Sequence, residues 1–286
     1  MTFGIFTNQI RANKILYVLK DLLMTGGSPV KYPIVLVHGI IAHDRPGVIK
    51  YWGRIPETLQ KTGAKVFFGN TDAWGDIKSN AAILKTTIDK ILDETKSEKV
   101  NIIAHSKGGL DGRYFIWKYN YGDRIASLTT ISTPHHGAEL SDLIYRQRFL
   151  HSRIAKKALK LFGKLYGDTN PALFKLNYQL TTKYIKIFNG QVLPDNRVYY
   201  QSIYSTMKNA LDDLLFFHSY RYIKKINGDN DGFVSEYSAR WGDNITKIEG
   251  RISHAEILDY NMRKISGINI PDIFINIVSG LKERGF

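Results

Sequence analysis

The segment VNIIAHSKGGLDGRY, Val100 to Tyr114, places a serine where chemistry could happen. A run of mostly apolar residues leads to His105 and Ser106, and a glycine-rich segment with helical character, Lys107 to Tyr119, follows. A-H-S-K-G departs by one residue from the G-x-S-x-G pattern of a strained strand-to-helix turn. There the residues flanking the serine must be small, and Ala104 and Gly108 both are. Gly109 and Gly112 permit close packing of the helix on the strands, at a cost in helix stability that suggests a steric demand. The start of that helix would also point backbone N–H groups and a positive dipole end at the serine. Ser106 is therefore the candidate nucleophile.

A serine needs a base, and the base needs an acid to hold it. In a fold of this kind the order is serine, acid, histidine. After Ser106 come His135, His136, His151, His218 and His254. His254 alone lies late, in the candidate loop EGRISHAEILDY that follows the possible strand NITKIEG. For the acid, NGDNDGFVS offers Asp229 and Asp231, and the pair Asp212–Asp213 lies further upstream. Asp231, followed by glycine and an apolar pair, is favoured among them. Developing negative charge needs donors, and the first buried strand ends in His38-Gly39. That nominates the backbone N–H groups of Ile40 and Lys107 as an oxyanion hole. Only the amide of Lys107 is needed, so its side chain is expected in solvent. The adjacent His135 and His136 in STPHHG have no third ligand at useful spacing, so they read as a turn at the rim of the site rather than a metal centre.

These residues need a frame. PIVLVHG, AKVFFGN and VNIIAHS are short continuous apolar runs that suit strands buried on both faces. IASLTTIST and NRVYYQSIYST continue the series. Helical patterns, Trp52 to Thr62 and Asn80 to Thr95, separate the first three, which predicts an α/β fold with a mostly parallel central sheet and flanking helices. Ala138 to Phe188 breaks that rhythm: it is helical in character, basic and too long for a structureless loop. It reads as a helical lid or cap inserted at about 138–190.

The chain has 286 residues, of which 43% are hydrophobic, enough for one large domain over 31–286 behind an N-terminal extension, 1–30. It has no cysteine, which excludes disulfides, thiolate nucleophiles and cysteine-based metal sites. The formal net charge of +14 suits an anionic lipid surface or nucleic acid, and charge alone does not choose. The N-terminus is basic and partly apolar, and its apolar run is broken at Lys20 and Asp21. It predicts an amphipathic helix, Ile10 to Met24, packed on the domain or touching a membrane surface, rather than a signal peptide. No run long enough to span a bilayer exists. With no clear signal peptide, the location is left open between cytoplasmic and non-classically exported.

Taken together, YPIVLVHGI, KVNIIAHSKGGLDGRY, ASLTTISTPHHGAEL, NDGFVS and HAEILDYN resemble the bacterial true lipases of family I, the Proteus and Pseudomonas kind. The matches fall in order from roughly Lys31 to Met262. IIAHSKGG and KYWG also look like the Gram-positive thermoalkaliphilic lipases, where alanine replaces the first glycine. The resemblance implies an α/β-hydrolase fold, a mobile helical lid, and hydrolysis of carboxylic esters of lipids. It carries nucleophile, acid and base onto Ser106, Asp231 and His254, and the oxyanion donors onto Ile40 and Lys107.

Family members often hold a structural calcium through an aspartate and a glutamine after the histidine. Glu256 and Tyr260 stand at those places here, so no cofactor is expected, with calcium as the alternative. The Trp52 to Ser106 interval is too short for the zinc-binding insertion of the thermoalkaliphilic relatives. The expected partner is a lipid ester at an interface. Arg146, Arg148, Arg153, Lys156, Lys157 and Lys160 of the cap suit an anionic one, or simply form a solvated face. No nucleic-acid partner is expected. A phospholipase, thioesterase or acyltransferase would use the same triad. A non-catalytic membrane or nucleic-acid binding module would need none of it.

Overall fold

The computed structural model describes residues 30–41, 43, 50–147, 152–165 and 167–286. The expected N-terminal helix from Ile10 to Met24, and Arg148 in the cap, lie outside the described residues. The strands are β1 (Ile34–Val37), β2 (Val66–Phe68), β3 (Val100–His105), β4 (Ile125–Ile131), β5 (Tyr199–Ser205) and β6 (Ile245–Ile248). They form one sheet in the order β2-β1-β3-β4-β5-β6, and every pair is parallel. β1, β3 and β4 are buried along their whole length, as continuous apolar and β-branched runs require.

Side chains alternate across a strand, so each face of β1 meets a different layer. Ile34 and Leu36 pack with helices α1 (Ile55–Lys61) and α10 (Ile270–Glu283), through Leu59, Phe274 and Leu281. Val35 and Val37 pack with α2 (Ile77–Thr95) and α3 (Lys107–Tyr119), through Leu84, Ile88 and Phe115. α2 starts at Ile77, three residues before the span expected from sequence, because Asp76 caps it, its carboxylate accepting the Lys78 amide at 3.0 Å.

The chain leaves β1 outward to β2 and then crosses back to β3 on the other side. The C-terminal ends of β1 and β3 therefore flank a topological switch point, the place where parallel sheets of this kind bind ligands. Gly39 lies just past one end and Ser106 directly past the other.

Between β4 and β5 lie α4 (Glu139–Tyr145), α5 (Arg153–Leu165), α6 (Leu173–Gln179) and α7 (Thr182–Gln191), a helical insertion. Leu176, Leu180, Ile185 and Phe188 pack it onto Ile77 and Leu110. Two carboxylates clasp it reciprocally to the loop after β2. Asp168 of the insertion accepts the Ala73 and Trp74 amides at 2.9 and 2.7 Å. Asp72 of the loop accepts the Thr169 and Asn170 amides at 2.9 and 2.7 Å, and the Thr169 hydroxyl. Such bonds to charged acceptors are the strong ones. α8 (Phe217–Asn227) and the short α9 (Glu236–Ala239) complete the elements around the sheet's C-terminal edge.

Candidate active site

Ser106 sits between the last residue of β3 and the first of α3 with φ 54° and ψ −128°. That region is costly for a residue with a Cβ and is kept only where the surroundings impose it. The surroundings do so. The Ser106 amide donates to the Ile131 carbonyl of β4 at 2.8 Å. A Cβ on Gly108 would lie 2.5 Å from the His38 carbonyl oxygen and 2.7 Å from that of Val37. A Cβ on Gly39 would lie 2.8 Å from the Ser106 Cβ. The glycines let the end of β1 and the first turn of α3 approach each other around the serine.

The partners converge from two later loops. His254 Nε2 lies 3.0 Å from Ser106 Oγ, and His254 Nδ1 lies 2.8 Å from Asp231 Oδ2. The ring nitrogens divide their work accordingly: Nδ1–H donates to the carboxylate, and Nε2 accepts the serine hydroxyl. Asp231 is fixed in turn, its Oδ1 accepting the Phe233 and Val234 amides at 2.9 and 2.7 Å. Its carbonyl also accepts the His254 amide at 2.8 Å. The rival acids are employed elsewhere: Asp229 pairs with Lys224, and Asp213 accepts the Ser253 hydroxyl at 2.6 Å. Phe216 and Phe233 flank the imidazole with ring centroids 6.4 and 5.0 Å away. A serine, a base reaching its hydroxyl and an acid orienting that base can together form and release an acyl-enzyme.

One supporting chain escapes sequence reasoning. The Gly39 amide donates to the Tyr51 hydroxyl at 2.7 Å. That hydroxyl lies 2.8 Å from His105 Nδ1, and His105 Nε2 lies 3.1 Å from the His254 carbonyl oxygen. A carbonyl can only accept, so the His105 proton is on Nε2 and Tyr51 donates to Nδ1. The loop after β1 is thereby tied to the backbone of His254. Tyr51→Phe strands the Gly39 donor and cuts the tie. It is expected to lower kcat on a soluble ester about tenfold, the rate equivalent of about 1.4 kcal/mol, with KM little changed. Steady-state kinetics check this, and an unchanged kcat would refute the positional role.

Lys107 corrects an expectation. Its amide stands at the start of α3 beside Ser106, but its side chain is fully buried rather than in solvent. Its ammonium reaches Asp111 Oδ2 at 2.7 Å, and Asn80 Nδ2 donates to the same oxygen at 2.9 Å. Burial pushes the Asp111 carboxyl up, against the pull of Lys107 and Asn80. The other proposed oxyanion donor, Ile40, is half-buried immediately after Gly39. His38 is buried beneath that loop, its Nε2 2.9 Å from the Thr71 carbonyl oxygen and its Nδ1 2.8 Å from that of Gly39.

His135 also departs from the rim position read from sequence, for it is a core residue with no exposure. Arg113 donates to its Nδ1 at 3.1 Å, and its Nε2 lies 3.0 Å from Thr130 Oγ1. Its ring stacks on Trp241, which also lies 4.0 Å beneath the Arg113 guanidinium. Burial brings Arg113 down to about 9. Burial likewise holds His105 and His135 well below the ordinary imidazole range, helped by His254 and Arg113 respectively.

Both rings are neutral in the fold and become protonated when it opens. Below the unfolded pKa of about 6.5 the unfolded chain thus binds more protons, and stability falls as pH falls. Each imidazole contributes up to about 1.4 kcal/mol per pH unit. Urea denaturation between pH 7.5 and 5.5 is expected to show this loss, with a shallower slope for His135→Gln. Equal slopes would contradict it. The carboxyls of Asp111 and Asp168, pushed up by burial, act in the opposite sense, and the difference between the two proteins isolates the imidazole.

Glu256, at the place of the calcium-binding aspartate, accepts the Ser253 amide at 3.1 Å, and burial pushes its carboxyl up. Among the described residues no group of three or more His, Asp or Glu side chains converges as a metal site would.

The parallel sheet, the strained serine after β3 and the histidine and acid loops beyond β5 and β6 define a class. The chain belongs to the alpha/beta hydrolase fold family, whose pattern matches residues 32–227. It is similar to the triacylglycerol lipase of Pseudomonas fragi, 29% identical over an alignment that covers 89% of this chain and 97% of that protein. Triacylglycerol lipase 2 of Saccharomyces cerevisiae is 28% identical, over 83% of this chain and 75% of that one. In structure it resembles the mature Bacillus licheniformis lipase BlEst2, with a TM-score of 0.66 and 24% identity over 88% of this chain and 93% of that one. The metagenomic carboxyl esterase MGS0156 superposes with a TM-score of 0.73 at 16% identity, over 90% of this chain and 77% of that one.

Proposed function

We propose that the protein hydrolyses carboxylic esters of lipids, as a triacylglycerol lipase or esterase working through an acyl-enzyme. The observation that carries this reading is the run of contacts from Ser106 Oγ to His254 Nε2 at 3.0 Å and from His254 Nδ1 to Asp231 at 2.8 Å. Its similarity to triacylglycerol lipases along most of its length supports the substrate class.

His254 takes the hydroxyl proton as Ser106 Oγ attacks the ester carbonyl, and Asp231 stabilises the imidazolium. The amides of Ile40 and Lys107 hold the oxyanion, and the strained elbow keeps the Lys107 amide beside the reacting oxygen. The imidazolium then gives its proton to the departing alcohol. Water, deprotonated by the same ring, attacks the acyl-enzyme, and the carboxylic acid leaves as Ser106 recovers its proton. The helices between β4 and β5 act as the cap that receives the acyl chain, and the net charge of +14 suits esters presented at an anionic interface.

A chain-length series of p-nitrophenyl esters, extended to triglyceride emulsions, tests this. Turnover is expected to rise with acyl length and again on passing to the emulsion, and to vanish in Ser106→Ala. Equal turnover by both proteins would defeat the catalytic assignment. A flat response to chain length, with no rise in emulsion, would defeat the lipid substrate.

A further inference from the structure

A cleft of about 530 Å³ is walled by His136, Asn227, Asp229, Glu236, Tyr237 and Arg240, and no member of the triad lines it. Small-molecule sites run from about 300 to 1,000 Å³. One wall is aromatic. The His136 and Tyr237 rings stack with centroids 4.8 Å apart and planes 28° apart. His136 Nε2 donates to the Arg240 carbonyl at 3.2 Å, which fixes the ring. Burial holds this imidazole below the ordinary range, so near neutral pH the stack carries no charge. Tyr237 is 60% exposed, which leaves the ring face away from His136 open. The other wall is polar, and its charges are already balanced. Asp229 pairs with Lys224 at 2.5 Å, and Glu236 with Lys247 at 2.8 Å and Arg240 at 3.5 Å. Asn227 gives its amide N–H to Glu139 Oε1, so its own oxygen is left as an acceptor. Glu139 is buried beside this wall, and its Oε1 also accepts the Ser235 hydroxyl at 2.9 Å. Its Oε2 has no hydrogen-bond partner among the described residues, an arrangement rare enough in folded proteins to need a donor.

We propose that this cleft is a saccharide-binding site, taking a pyranose with its C–H face on Tyr237 and its vicinal hydroxyls on Asn227, Asp229 and Arg240. Charge disfavours the other classes of ligand. An anion would meet the carboxylates of Asp229 and Glu236. An organic cation would meet Arg240 and Lys224, and the carboxylates it needs already hold cations. Among the described residues no three His, Asp or Glu side chains converge there for a metal. What remains is a neutral ligand, apolar on one flat face and able both to donate and to accept around its edge. A sugar hydroxyl does both, and Asn227 and Asp229 accept where Arg240 donates. Two sources carry such a ring, a free saccharide and the headgroup of a glycolipid. The inference stands apart from the proposed ester hydrolysis, since none of its residues touches Ser106 or His254.

Saturation-transfer NMR and calorimetry on the full chain bearing Ser106→Ala, which leaves any ester intact, test this. The probes are the methyl glycosides of glucose, galactose, mannose and N-acetylglucosamine. At least one is expected to bind with a Kd on the order of 1 mM. Tyr237→Ala and Asp229→Ala are each expected to weaken that binding about tenfold, and Tyr237→Phe, which keeps the ring, by less than about twofold. Both side chains are exposed, so all three variants are expected to keep the wild-type urea midpoint, which separates lost binding from lost fold. Phosphatidylcholine vesicles carrying monogalactosyl or monoglucosyl diacylglycerol identify the source. Sedimentation with these beyond plain phosphatidylcholine, lost in Tyr237→Ala, would assign the sugar to a lipid headgroup. Binding of the free glycosides alone would assign it to a soluble saccharide. The inference would be overturned if no glycoside or glycolipid bound, or if Tyr237→Ala left the binding unmoved. Tyr237-dependent binding of inorganic phosphate or tetramethylammonium in place of the sugars would overturn it equally. Failure of the hydrolase reading registers separately, as a wild-type chain that binds the glycoside and cleaves no ester.

Discussion

Ser106→Ala is expected to lower kcat by about 10⁴-fold or more while leaving the fold and ester binding in place. The substitution removes only Oγ, whose contact is with the His254 ring at 3.0 Å, and the elbow is held by backbone bonds and glycines that alanine does not disturb. What residual rate persists would come from the oxyanion amides and from binding. Asp231→Asn is expected to cost about as much for a different reason. Oδ1 of Asp231 accepts two amides, from Phe233 and Val234, so an asparagine must keep its oxygen there and turn its NH₂ toward His254 Nδ1. Nδ1 then has to accept, the ring proton moves to Nε2, and the base faces the serine already protonated. Because the three groups act as one unit, Ser106→Ala combined with His254→Ala should be scarcely worse than either alone. Single-turnover and steady-state rates on a soluble ester measure all of these. Additive losses would mean that the groups do not work together.

Lys107→Met is expected to be the most destabilising single change near the site, by about 3–5 kcal/mol, because it leaves a buried carboxylate without its cation. Both side chains of the Lys107–Asp111 pair have no exposure, and Asp111 keeps only the Asn80 amide if the ammonium is removed. Against a typical domain stability of about 5–15 kcal/mol that is a large fraction. Lys107→Met/Asp111→Leu removes both charges and is expected to recover most of the loss, since an apolar pair of similar volume avoids the desolvation penalty. Urea denaturation of the wild type, both single variants and the double variant gives the coupling energy. A single-variant cost below about 1 kcal/mol, the range of an exposed pair, would contradict the buried-pair account.

The parts of this site legible in sequence are those written in local chemistry. β1 announces itself as an uninterrupted apolar run, and β3 and β4 as apolar and β-branched stretches broken by a few small or polar residues, because both faces of those strands are covered. Ser106 is legible from the small residues that its turn demands, and α3 runs from Lys107 to Tyr119 as the pattern predicts. His254 follows from its place in the chain order, and Asp231 from the glycine after it, which adopts φ +96° where a Cβ would strike Phe216. Lys107 was misplaced because a lysine beside a reactive serine reads as a solvent residue, and burial of lysine requires a partner. The partner was present in sequence, an aspartate one helical turn on, at the spacing where helix side chains meet. Tyr51 gives no local signal. Its bond to His105 joins positions 54 apart in the chain, and only the pairing of β1 with β3 brings Gly39, Tyr51 and His105 together. The Asp72–Asp168 clasp is hidden for the same reason, since each carboxylate is explained by amides almost a hundred positions away.

The central claim is that Ser106 attacks. A fluorophosphonate captures such an oxygen by forming an O–P bond with loss of fluoride, and mass spectrometry of the digested protein locates the adduct. The account predicts one adduct per chain, on Ser106, with ester hydrolysis lost in proportion and no adduct in His254→Ala under the same exposure. Activity lost with Ser106 unmodified, or an adduct on another residue that tracks the loss, would contradict it.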